Sequence, residues 1–342
     1  MEQEFSKILR DWYRKNGRDL PWRGTKNAYK IWLSEIILQQ TRVDQGLPYY
    51  LRFVEEFPRI EDLAGAPIDK VLKLWQGLGY YSRARNLHAA AKQVTDLFDG
   101  EFPADYHKIR SLKGIGDYTA AAISSFAFDL PHPVVDGNVY RFLSRFTGNN
   151  TPIDSTAGKK AFAQLAAELL DPAHPAEHNQ AIMEFGALQC RPVNPGCESC
   201  PFQFACEALI QNKVDQLPVK EKKQKVRDRY FHYYYIHDGH HLLLRKREAK
   251  DIWQGLYEFP LVEQEGGTPA GHLREIGLTG KDIRISKPVS ITHLLSHQRL
   301  HALIREVRVK VEPLPGYIRV PAEELHHYGL PQLLVKYLQQ KA

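Results

Sequence analysis

All four cysteines of the chain lie between residues 190 and 206, in the segment CRPVNPGCESCPFQFAC. Cys190, Cys197, Cys200 and Cys206 follow the spacing C-x6-C-x2-C-x5-C. Disulfides mostly serve small secreted domains, whereas this chain has 342 residues and an N-terminal segment that does not resemble a signal peptide. The clustered thiols therefore predict a metal-binding loop in a reducing compartment.

Two kinds of metal site fit four cysteines. A zinc ribbon usually has two short cysteine pairs separated by a longer insert. Here only Cys197 and Cys200 form a short pair, and no histidine lies inside the loop. Four thiolates on one compact loop suit a [4Fe-4S] cluster. We therefore expect an iron–sulfur cluster, with zinc as the alternative.

The length of the chain favours two domains over one. Residues 1 to about 210 carry apolar residues at helical spacing, as in AYKIWLSEIILQQTRV and STAGKKAFAQLAAELL. The highly charged stretch VDQLPVKEKKQKVRDR is typical of a linker. We predict a mainly α-helical region over 1–213, a linker over 214–229 and a second domain over 230–342.

The second domain has the patterns of β-structure. In YFHYYYIHDGHHLLLRKR, two strand-like runs flank Asp238-Gly239, which predicts a hairpin. Leu300, Ala302 and Ile304 alternate as on a strand, and short helices are predicted around 268–276 and 322–340. The domain is therefore expected to be α+β. The net charge of +6 permits a polyanionic partner without requiring one.

The stretch SLKGIGDYTAAAISSFAF, residues 111–128, contains two glycines between two helical segments. Gly114 and Gly116 would permit a tight turn and the close approach of another molecule. The free N–H groups that begin the second helix would offer a phosphate site. The stretch favours a helix-hairpin-helix DNA-binding element, with an ordinary turn between helices as the alternative.

Two acidic residues lie in apolar surroundings. Glu35, in IWLSEIILQQTRV, has Ile31, Trp32 and Leu38 as helical neighbours. We expect these neighbours to raise its pKa, so that the carboxyl can serve as a general acid. A solvated helix glutamate is the alternative. Asp136, in PHPVVDGNVYRF, lies at a predicted helix start, where it would cap the helix.

The order of LKGIGDYTAAAI, VVDGNVYRF and the four-cysteine loop resembles the iron–sulfur DNA glycosylases of the endonuclease III superfamily. The resemblance covers residues 1 to about 210. It implies a six-helix barrel that carries the hairpin, a helical domain that carries a [4Fe-4S] cluster, and a cleft that grips damaged DNA. It also implies that Asp136 stabilises a cationic sugar in the transition state.

The hairpin separates two branches of this superfamily. Bifunctional members carry a lysine nucleophile where this chain has Tyr118, and tyrosine cannot form a Schiff base with the sugar. The resemblance therefore implies a monofunctional glycosylase, which uses water and leaves an abasic site.

The segments RDLPWR, SEIILQQT, GLGYYSRARNL and NQAIMEFGALQC resemble the adenine DNA glycosylase family, as does the extra C-terminal domain. Members of that family remove adenine mispaired with 8-oxoguanine or guanine. The resemblance implies that Glu35 protonates N7 of the flipped adenine. Adenine would lie in a pocket involving Arg18, Trp22, Arg23 and Glu184, and core packing is the alternative for Trp22.

Gln40 and Tyr80 are candidates for filling the space that the flipped base leaves in the duplex and for wedging between the bases beside the lesion. The resemblance also implies a Nudix-like fold for residues 230–342, with Ser296 and His297 in HLLSHQRLHA as contacts to 8-oxoguanine. The family usually has phenylalanine where this chain has Leu295. A simple turn between strands is the alternative for this loop.

Three rival functions are considered. A bifunctional pyrimidine-lesion glycosylase and lyase conflicts with Tyr118, and a purely DNA-binding protein does not need Glu35 and Asp136. A nucleotide pyrophosphohydrolase needs clustered glutamates that the second domain lacks. The expected partner is double-stranded DNA with an A:8-oxoguanine or A:G mispair. We expect a monomer without membrane association, cytoplasmic and bound to the nucleoid if bacterial.

Overall fold

The structure is a computed structural model that describes residues 2–221, 226–279 and 283–341. Within this part the α-helices are α1 (Glu2–Asn16), α2 (Ala28–Leu38), α3 (Val43–Glu56), α4 (Ile60–Gly65), α5 (Ile68–Leu74), α6 (Ser82–Phe98), α7 (Tyr106–Ser111), α8 (Asp117–Phe128), α9 (Gly137–Thr147), α10 (Thr156–Leu169), α11 (Pro175–Leu188), α12 (Glu207–Ile210), α13 (Pro269–Ile276) and α14 (Gln332–Gln339). The strands are β1 (Arg227–His237), β2 (His241–Lys246), β3 (Tyr257–Glu258), β4 (Leu261–Glu263), β5 (Arg284–Ile285), β6 (Val289–Leu294), β7 (Gln298–Arg308) and β8 (Ile318–Pro321).

These elements group into two compact units. The helical unit comprises Met1–Ala64 and Ala89–Lys222, and the mixed unit comprises Gly65–His88 and Lys223–Ala342. The predicted fold class, a mainly helical N-terminal region followed by an α+β domain, is confirmed. The predicted domain limits differ from this division, because α5 and the start of α6 belong to the mixed unit although they lie inside 1–213.

Aromatic rings from separate helices form the main core of the helical unit. Phe5, Phe142, Phe185 and Phe202 are all at least 95% buried, and their neighbouring ring centroids lie 4.6 to 6.0 Å apart. Truncating such a ring in a core costs about 3–5 kcal/mol. Phe202 belongs to the four-cysteine loop, so its burial attaches that loop to the core.

Helix α2 is enclosed on every side. Asn27 is the N-cap of this helix, because its side-chain Oδ1 accepts a hydrogen bond from the N–H of Lys30 at 3.0 Å. Ile31 and Trp32 are at most 2% exposed, and the helix has apolar residues all round. A helix of this kind is stable only when neighbours cover it completely. Any polar side chain in its middle is therefore removed from water.

Helices α7 and α8 form the predicted pair joined by a tight turn. Gly114 has φ +75°, the left-handed region that favours glycine. Gly116 has φ −95° and ψ −179°, an ordinary extended conformation, and a Cβ there would meet nothing within 4 Å. The turn itself thus requires Gly114, whereas Gly116 leaves open space at the start of α8.

The mixed unit is built on a sheet in which β1 and β7 run parallel, from Arg227↔Gln298 to His237↔Arg308. Strand β2 pairs with β1, β3 and β8, while β4 pairs with β1, and β5 and β6 pair with β7. The hairpin predicted at Asp238-Gly239 is confirmed by the pair His237↔Leu242. The predicted alternation on β7 is also confirmed, because Leu300, Ala302 and Ile304 are at most 1% exposed.

Two predicted boundaries differ from the structure. Strand β1 begins at Arg227, inside the predicted linker over 214–229. The helix predicted over 322–340 is divided into a 3₁₀ helix, Ala322–His327, and α14. Gly329 and Pro331 lie between the two pieces, and proline has no N–H to continue a helix. Among the described residues, no helix is long and apolar enough to cross a membrane.

Candidate active site

One cavity of about 390 Å³ in the helical unit brings together most of the predicted catalytic and substrate-binding residues. Its lining includes Arg18, Trp22, Arg23, Glu35, Gln40, Tyr118, Asp136 and Glu184. These residues come from α2, α8, α11 and the connections around them, so the fold assembles side chains that are distant in sequence.

Glu35 lies on α2 and is 7% exposed. Its Oε2 accepts a hydrogen bond of 2.8 Å from the hydroxyl of Tyr118. Burial raises the pKa of Glu35 to about 7; the negative charge of Asp136 acts in the same direction, and the Tyr118 hydrogen bond and Arg23 act against it. The predicted upward shift is confirmed by this environment. Burial also raises the pKa of Tyr118, which therefore stays a neutral donor.

Asp136 caps the N-terminus of α9, as the sequence predicts. Its Oδ1 accepts the N–H groups of Asn138 at 2.9 Å and Val139 at 2.8 Å, and its Oδ2 accepts the Asn138 side-chain amide at 2.8 Å. Burial raises the pKa of Asp136, and these donors counteract part of that shift because they stabilise the anion. The carboxylate thus lies at the positive end of a helix and at the wall of the cavity.

Glu184 is held by two arginines on the opposite part of the cavity wall. Arg18 donates from Nε to Oε1 at 2.8 Å and from Nη2 to Oε2 at 2.6 Å, and Arg23 donates to Oε2 at 2.7 Å. Burial acts to raise the pKa of Glu184, but the hydrogen bonds from Arg18 and Arg23 outweigh it and lower the pKa to about 2. This carboxylate therefore stays charged over the whole physiological range.

Trp22 and Gln40 complete the predicted part of the lining. Trp22 is 8% exposed and packs edge-to-face on Tyr50, with the ring centroids 4.9 Å apart. It is therefore a core residue as well as a wall of the cavity. Gln40 is exposed and has φ +55°, so the chain turns sharply just after α2.

A hydrogen-bonded path that the sequence did not reveal connects Asp136 to the cysteine loop. Arg141 donates from Nη2 to the side-chain oxygen of Asn138 at 2.9 Å, and from Nε to the carbonyl oxygen of Cys190 at 2.7 Å. Asn138 in turn donates to Asp136. The DGN spacing is a signal that could have identified Asn138, because such residues often bond a neighbouring helix start. Nothing in the sequence distinguishes Arg141 from a solvated helix arginine.

The four cysteines line a single small cavity of about 30 Å³. Arg145, which is 3% exposed, donates to the sulfur of Cys190 at 3.5 Å, and its carbonyl oxygen accepts from the sulfur of Cys206 at 3.5 Å. Burial raises the pKa of Cys200 to about 11. No group of three His, Cys, Asp or Glu side chains in the described residues converges on a single metal ion. The four cysteines therefore line one cavity beside a buried guanidinium, although their side chains do not converge on one point.

Tyr80, Ser296 and His297 lie in the mixed unit, where they line a cavity of about 480 Å³. The hydroxyl groups of Tyr80 and Ser296 are hydrogen-bonded to each other. Tyr80 is 42% exposed, and the guanidinium of Arg83 lies 5.6 Å from its ring centroid. Ser296 and His297 occupy the turn between β6 and β7. The turn predicted as the alternative is thus present, and it faces Tyr80.

The stability of a Glu35→Gln variant tests the environment of Glu35. The folded pKa is raised from 4.5 to about 7, so folding carries no penalty below pH 4.5 and a growing one as the pH rises through 7. At pH 8 the variant should be more stable than the unaltered protein by about 3 kcal/mol, and at pH 5 by less than about 1 kcal/mol. Denaturant unfolding at the two pH values measures this difference.

Glu184→Gln is the matched control, because the pKa of Glu184 is shifted in the opposite direction. Its removal should destabilise the protein at both pH values. A Glu35→Gln protein that is less stable than the unaltered protein at pH 8 would contradict the raised pKa.

Comparison with known proteins finds a matching family for residues of each unit. Residues 33–171 match the HhH-GPD superfamily base excision DNA repair proteins, and residues 232–340 match the NUDIX domain. An adenine DNA glycosylase of Buchnera aphidicola subsp. Acyrthosiphon pisum (strain APS) is 32% identical over 346 residues, 98% of this chain and 97% of that protein. One from Buchnera aphidicola subsp. Baizongia pistaciae (strain Bp) is 39% identical over 258 residues, 75% of this chain and 73% of that protein.

A solved structure, of a thermostable thymine-DNA glycosylase, matches with a TM-score of 0.57 at 28% identity. The match covers 61% of this chain and 97% of that one. The resemblance found in the sequence is thereby confirmed: the chain belongs to the HhH-GPD superfamily of base excision DNA repair proteins and, within it, to the adenine DNA glycosylase family.

Proposed function

We propose that the protein is a monofunctional DNA glycosylase that hydrolyses the N-glycosidic bond of adenine mispaired with 8-oxoguanine or guanine. The observation that carries the proposal is the pair of Glu35 and Asp136 in one cavity, the first with a pKa near neutrality and the second at a helix N-terminus. The names of the relatives support adenine as the base removed.

Glu35 acts as the general acid. With a pKa of about 7, about half of its carboxyls carry a proton at neutral pH. Because Oε2 accepts from Tyr118, the proton resides on Oε1. It passes to N7 of an adenine turned into the cavity, which makes the base a better leaving group.

Asp136 stabilises the sugar as the bond to the base breaks. The departing base leaves positive charge on the deoxyribose ring, and a nearby carboxylate lowers the energy of that state. Its cap contacts with Asn138 and Val139 fix the carboxylate before the reaction starts. A group that is already oriented needs no reorganisation in the transition state.

The ion-paired group of Arg18, Arg23 and Glu184 is a rigid polar wall for the base. Both carboxylate oxygens of Glu184 are engaged by guanidinium groups, so its position is fixed. Trp22 adds an aromatic surface at the same cavity. A flipped purine is recognised by this combination of an aromatic surface and hydrogen-bonding edges.

Water is the nucleophile in this proposal. The hairpin position that would carry an amine nucleophile is Tyr118, whose hydroxyl is bonded to Glu35. A neutral phenol cannot form a Schiff base with the sugar, so the product is an abasic site. Gln40, on the turn after α2, is assigned to the space that the flipped base leaves in the duplex.

The hairpin is assigned to the DNA backbone. Within the described residues, the N–H groups at the start of α8 have no side-chain cap, and the space beside Gly116 is open. A phosphate fits there because N–H groups and the helix dipole both favour an anion. Gly114 serves by forming the turn that exposes this end.

The mixed unit reads the base opposite adenine. Tyr80, with its exposed ring, enters the base stack, and Ser296 and His297 contact 8-oxoguanine from the same cavity. An aromatic wedge of this kind unstacks a base step and assists bending of the duplex.

Pyrophosphate hydrolysis by the mixed unit is not supported. The acids that could hold a divalent metal are engaged by arginines: Asp251 and Glu263 pair with Arg229, and Glu258 pairs with Arg245 and Arg247. The distances of these ion pairs are 2.6 to 3.0 Å. A metal would have to displace these arginines to bind there, and the side chains of Arg229 and Arg247 are only 9% exposed.

The cysteine loop is proposed to hold a [4Fe-4S] cluster through Cys190, Cys197, Cys200 and Cys206. The donor set fits by its chemistry, because all four cysteines line one cavity and Arg145, which donates to the sulfur of Cys190, would supply positive charge beside anionic thiolates. Four thiolates leave no open position for water, so the cluster would supply loop stability and no hydrolytic chemistry. The path through Arg141 makes that stability relevant to Asp136.

Strand-specific cleavage tests the proposed function. Labelled duplexes with adenine opposite 8-oxoguanine, adenine opposite guanine, or thymine glycol are incubated with the protein, with and without hot alkali. Breaks should appear only on the adenine strand and only after alkali, because an abasic site is alkali-labile and no lyase acts. Breaks without alkali would contradict the monofunctional mechanism, and breaks at thymine glycol would contradict adenine specificity.

The pH dependence of adenine release tests the two carboxyl groups. The single-turnover rate should fall tenfold per pH unit above about 7, where Glu35 loses its proton, and should also fall at acidic pH as Asp136 is protonated. Tyr118→Phe removes a hydrogen bond that lowers the pKa of Glu35, so it should move the basic limb to higher pH. If the basic limb of the pH–rate profile does not move in this variant, the titration of Glu35 does not set that limb.

Glu35→Gln and Asp136→Asn should retain DNA binding and lose about 100-fold to 10,000-fold in adenine release. Electrophoretic mobility shifts provide the binding control. Near-normal release by either variant would contradict its assigned role.

Metal content tests the cysteine loop. The purified protein should be brown, absorb near ~400 nm and contain iron and sulfide, as thiolate-bound iron–sulfur clusters do. Cys200→Ser should reduce the absorbance and the stability of the loop. A colourless protein that contains zinc would contradict the proposed ligation and favour the alternative drawn from the cysteine count.

A further inference from the structure

The segment 65–88 lies inside the stretch that matches the HhH-GPD family, yet it is part of the mixed unit. It contains α5, the first turns of α6 and the loop that carries Tyr80. Val71, Leu72 and Trp75 of this segment are at most 1% exposed. The loop that carries the proposed wedge is therefore packed as one body with the β-rich C-terminal residues.

A single carboxylate on α5 joins this segment to two strands. Asp69 Oδ1 lies 2.6 Å from Nζ of Lys246 on β2, and Asp69 Oδ2 accepts a 2.9 Å hydrogen bond from the hydroxyl of Tyr257 on β3. Lys246 and Tyr257 are directly paired across the two strands. Asp69 thus uses both oxygens to fix α5 at one point of the sheet.

Further contacts fix the remainder of the segment. Lys73 donates to the carbonyl oxygen of Tyr328 at 2.9 Å, and Gln76 Oε1 accepts the N–H of Leu330 at 3.0 Å. The backbones approach closely here, since a Cβ on Gly329 would lie 3.6 Å from Cα of Lys73. These contacts continue the attachment that begins at Asp69.

The attached segment leads directly into one wall of the 480 Å³ cavity. Gly79 to Ser82 and Arg85 line one side, and residues 251–253 and 294–298 line the other. Arg85 crosses between the walls and donates to the carbonyl oxygen of Gln254 at 2.7 Å. The separation of Tyr80 from His297 is therefore set by the Tyr80–Ser296 hydrogen bond and the Arg85–Gln254 contact together with the attachment of α5.

We propose that Asp69 is a positioning residue for opposite-base selectivity. By fixing α5 on β2 and β3, it holds the Tyr80 wall at a constant distance from the turn that carries Ser296 and His297. The cavity then accepts one purine shape in preference to another. This inference rests on the proposed reading of 8-oxoguanine by the mixed unit, and it adds a residue that lies outside the cavity.

The test compares Asp69→Ala with Lys341→Ala in the full-length protein. Lys341 forms an ion pair of 2.7 Å with Glu306 in the same unit, and its side-chain exposure of 35% equals that of Lys246. The control therefore removes a similar pair that does not contact α5. Asp69→Asn, which retains an oxygen acceptor for Tyr257 and loses the charge, provides a conservative variant.

Two quantities are measured for each protein. The first is the ratio of single-turnover adenine release from A:8-oxoguanine duplexes to that from A:G duplexes. The second is amide hydrogen exchange of residues 65–88, followed by mass spectrometry, which needs no activity. Asp69→Ala should lower the ratio about threefold, the scale of a partly exposed ion pair, and should accelerate exchange in the segment. Asp69→Asn should lie between, and Lys341→Ala should change neither quantity.

The outcomes separate the positioning role from the proposed function. Faster exchange with an unchanged rate ratio would overturn the positioning role, because Asp69 would then only stabilise the segment. Unchanged exchange would overturn it as well, whatever the rates. Equal rates on the two duplexes for the unaltered protein would refute the reading of 8-oxoguanine itself, and the exchange data would show separately whether Asp69 holds α5.

Discussion

The removal of two carboxyl groups from water at one place is the constraint on which the candidate site depends. Glu35 has lost its hydration because α2 is covered on every side, and one phenol hydroxyl does not compensate for a charge. Asp136 has lost hydration too, but three N–H donors and a helix N-terminus favour its anion. The same cavity thus separates a carboxyl with a pKa near neutrality from a carboxyl whose anion is favoured, by the donors that it supplies to each.

The cavity depends in turn on the loop behind it. Phe202 attaches the cysteine loop to the aromatic core, and Arg141 connects the Cys190 carbonyl oxygen to Asn138, which orients Asp136. A displacement of the loop would therefore be transmitted to the carboxylate through three hydrogen bonds. This arrangement gives the four cysteines a structural reason to be near the site without taking part in the chemistry.

Local sequence patterns were enough to predict much of the candidate site. The remaining contacts depend on long-range packing. Glu35 could be predicted because its helical neighbours are apolar, and Asp136 because a cap depends on residues within one turn. The attachment of α5 to the sheet could not be predicted, because Asp69 and Tyr257 are 188 positions apart and neither lies in a distinctive motif. The contacts of Arg141 could not be predicted for the same reason, because they form only when α9 packs against the cysteine loop.

The membership of residues 65–88 in the mixed unit limits how the two matched families can be separated. Cutting the chain at the charged stretch near residue 220 would remove Lys246, Tyr257 and Tyr328, the hydrogen-bond partners of α5, and Gly255, which lies against Leu72. A recombinant N-terminal fragment would then lack the contacts that hold α5 in place and would expose the side of Leu72 that now faces Gly255. The C-terminal domain therefore cannot be replaced by another domain without further changes. The face of α5 that contacts it would have to be redesigned as well.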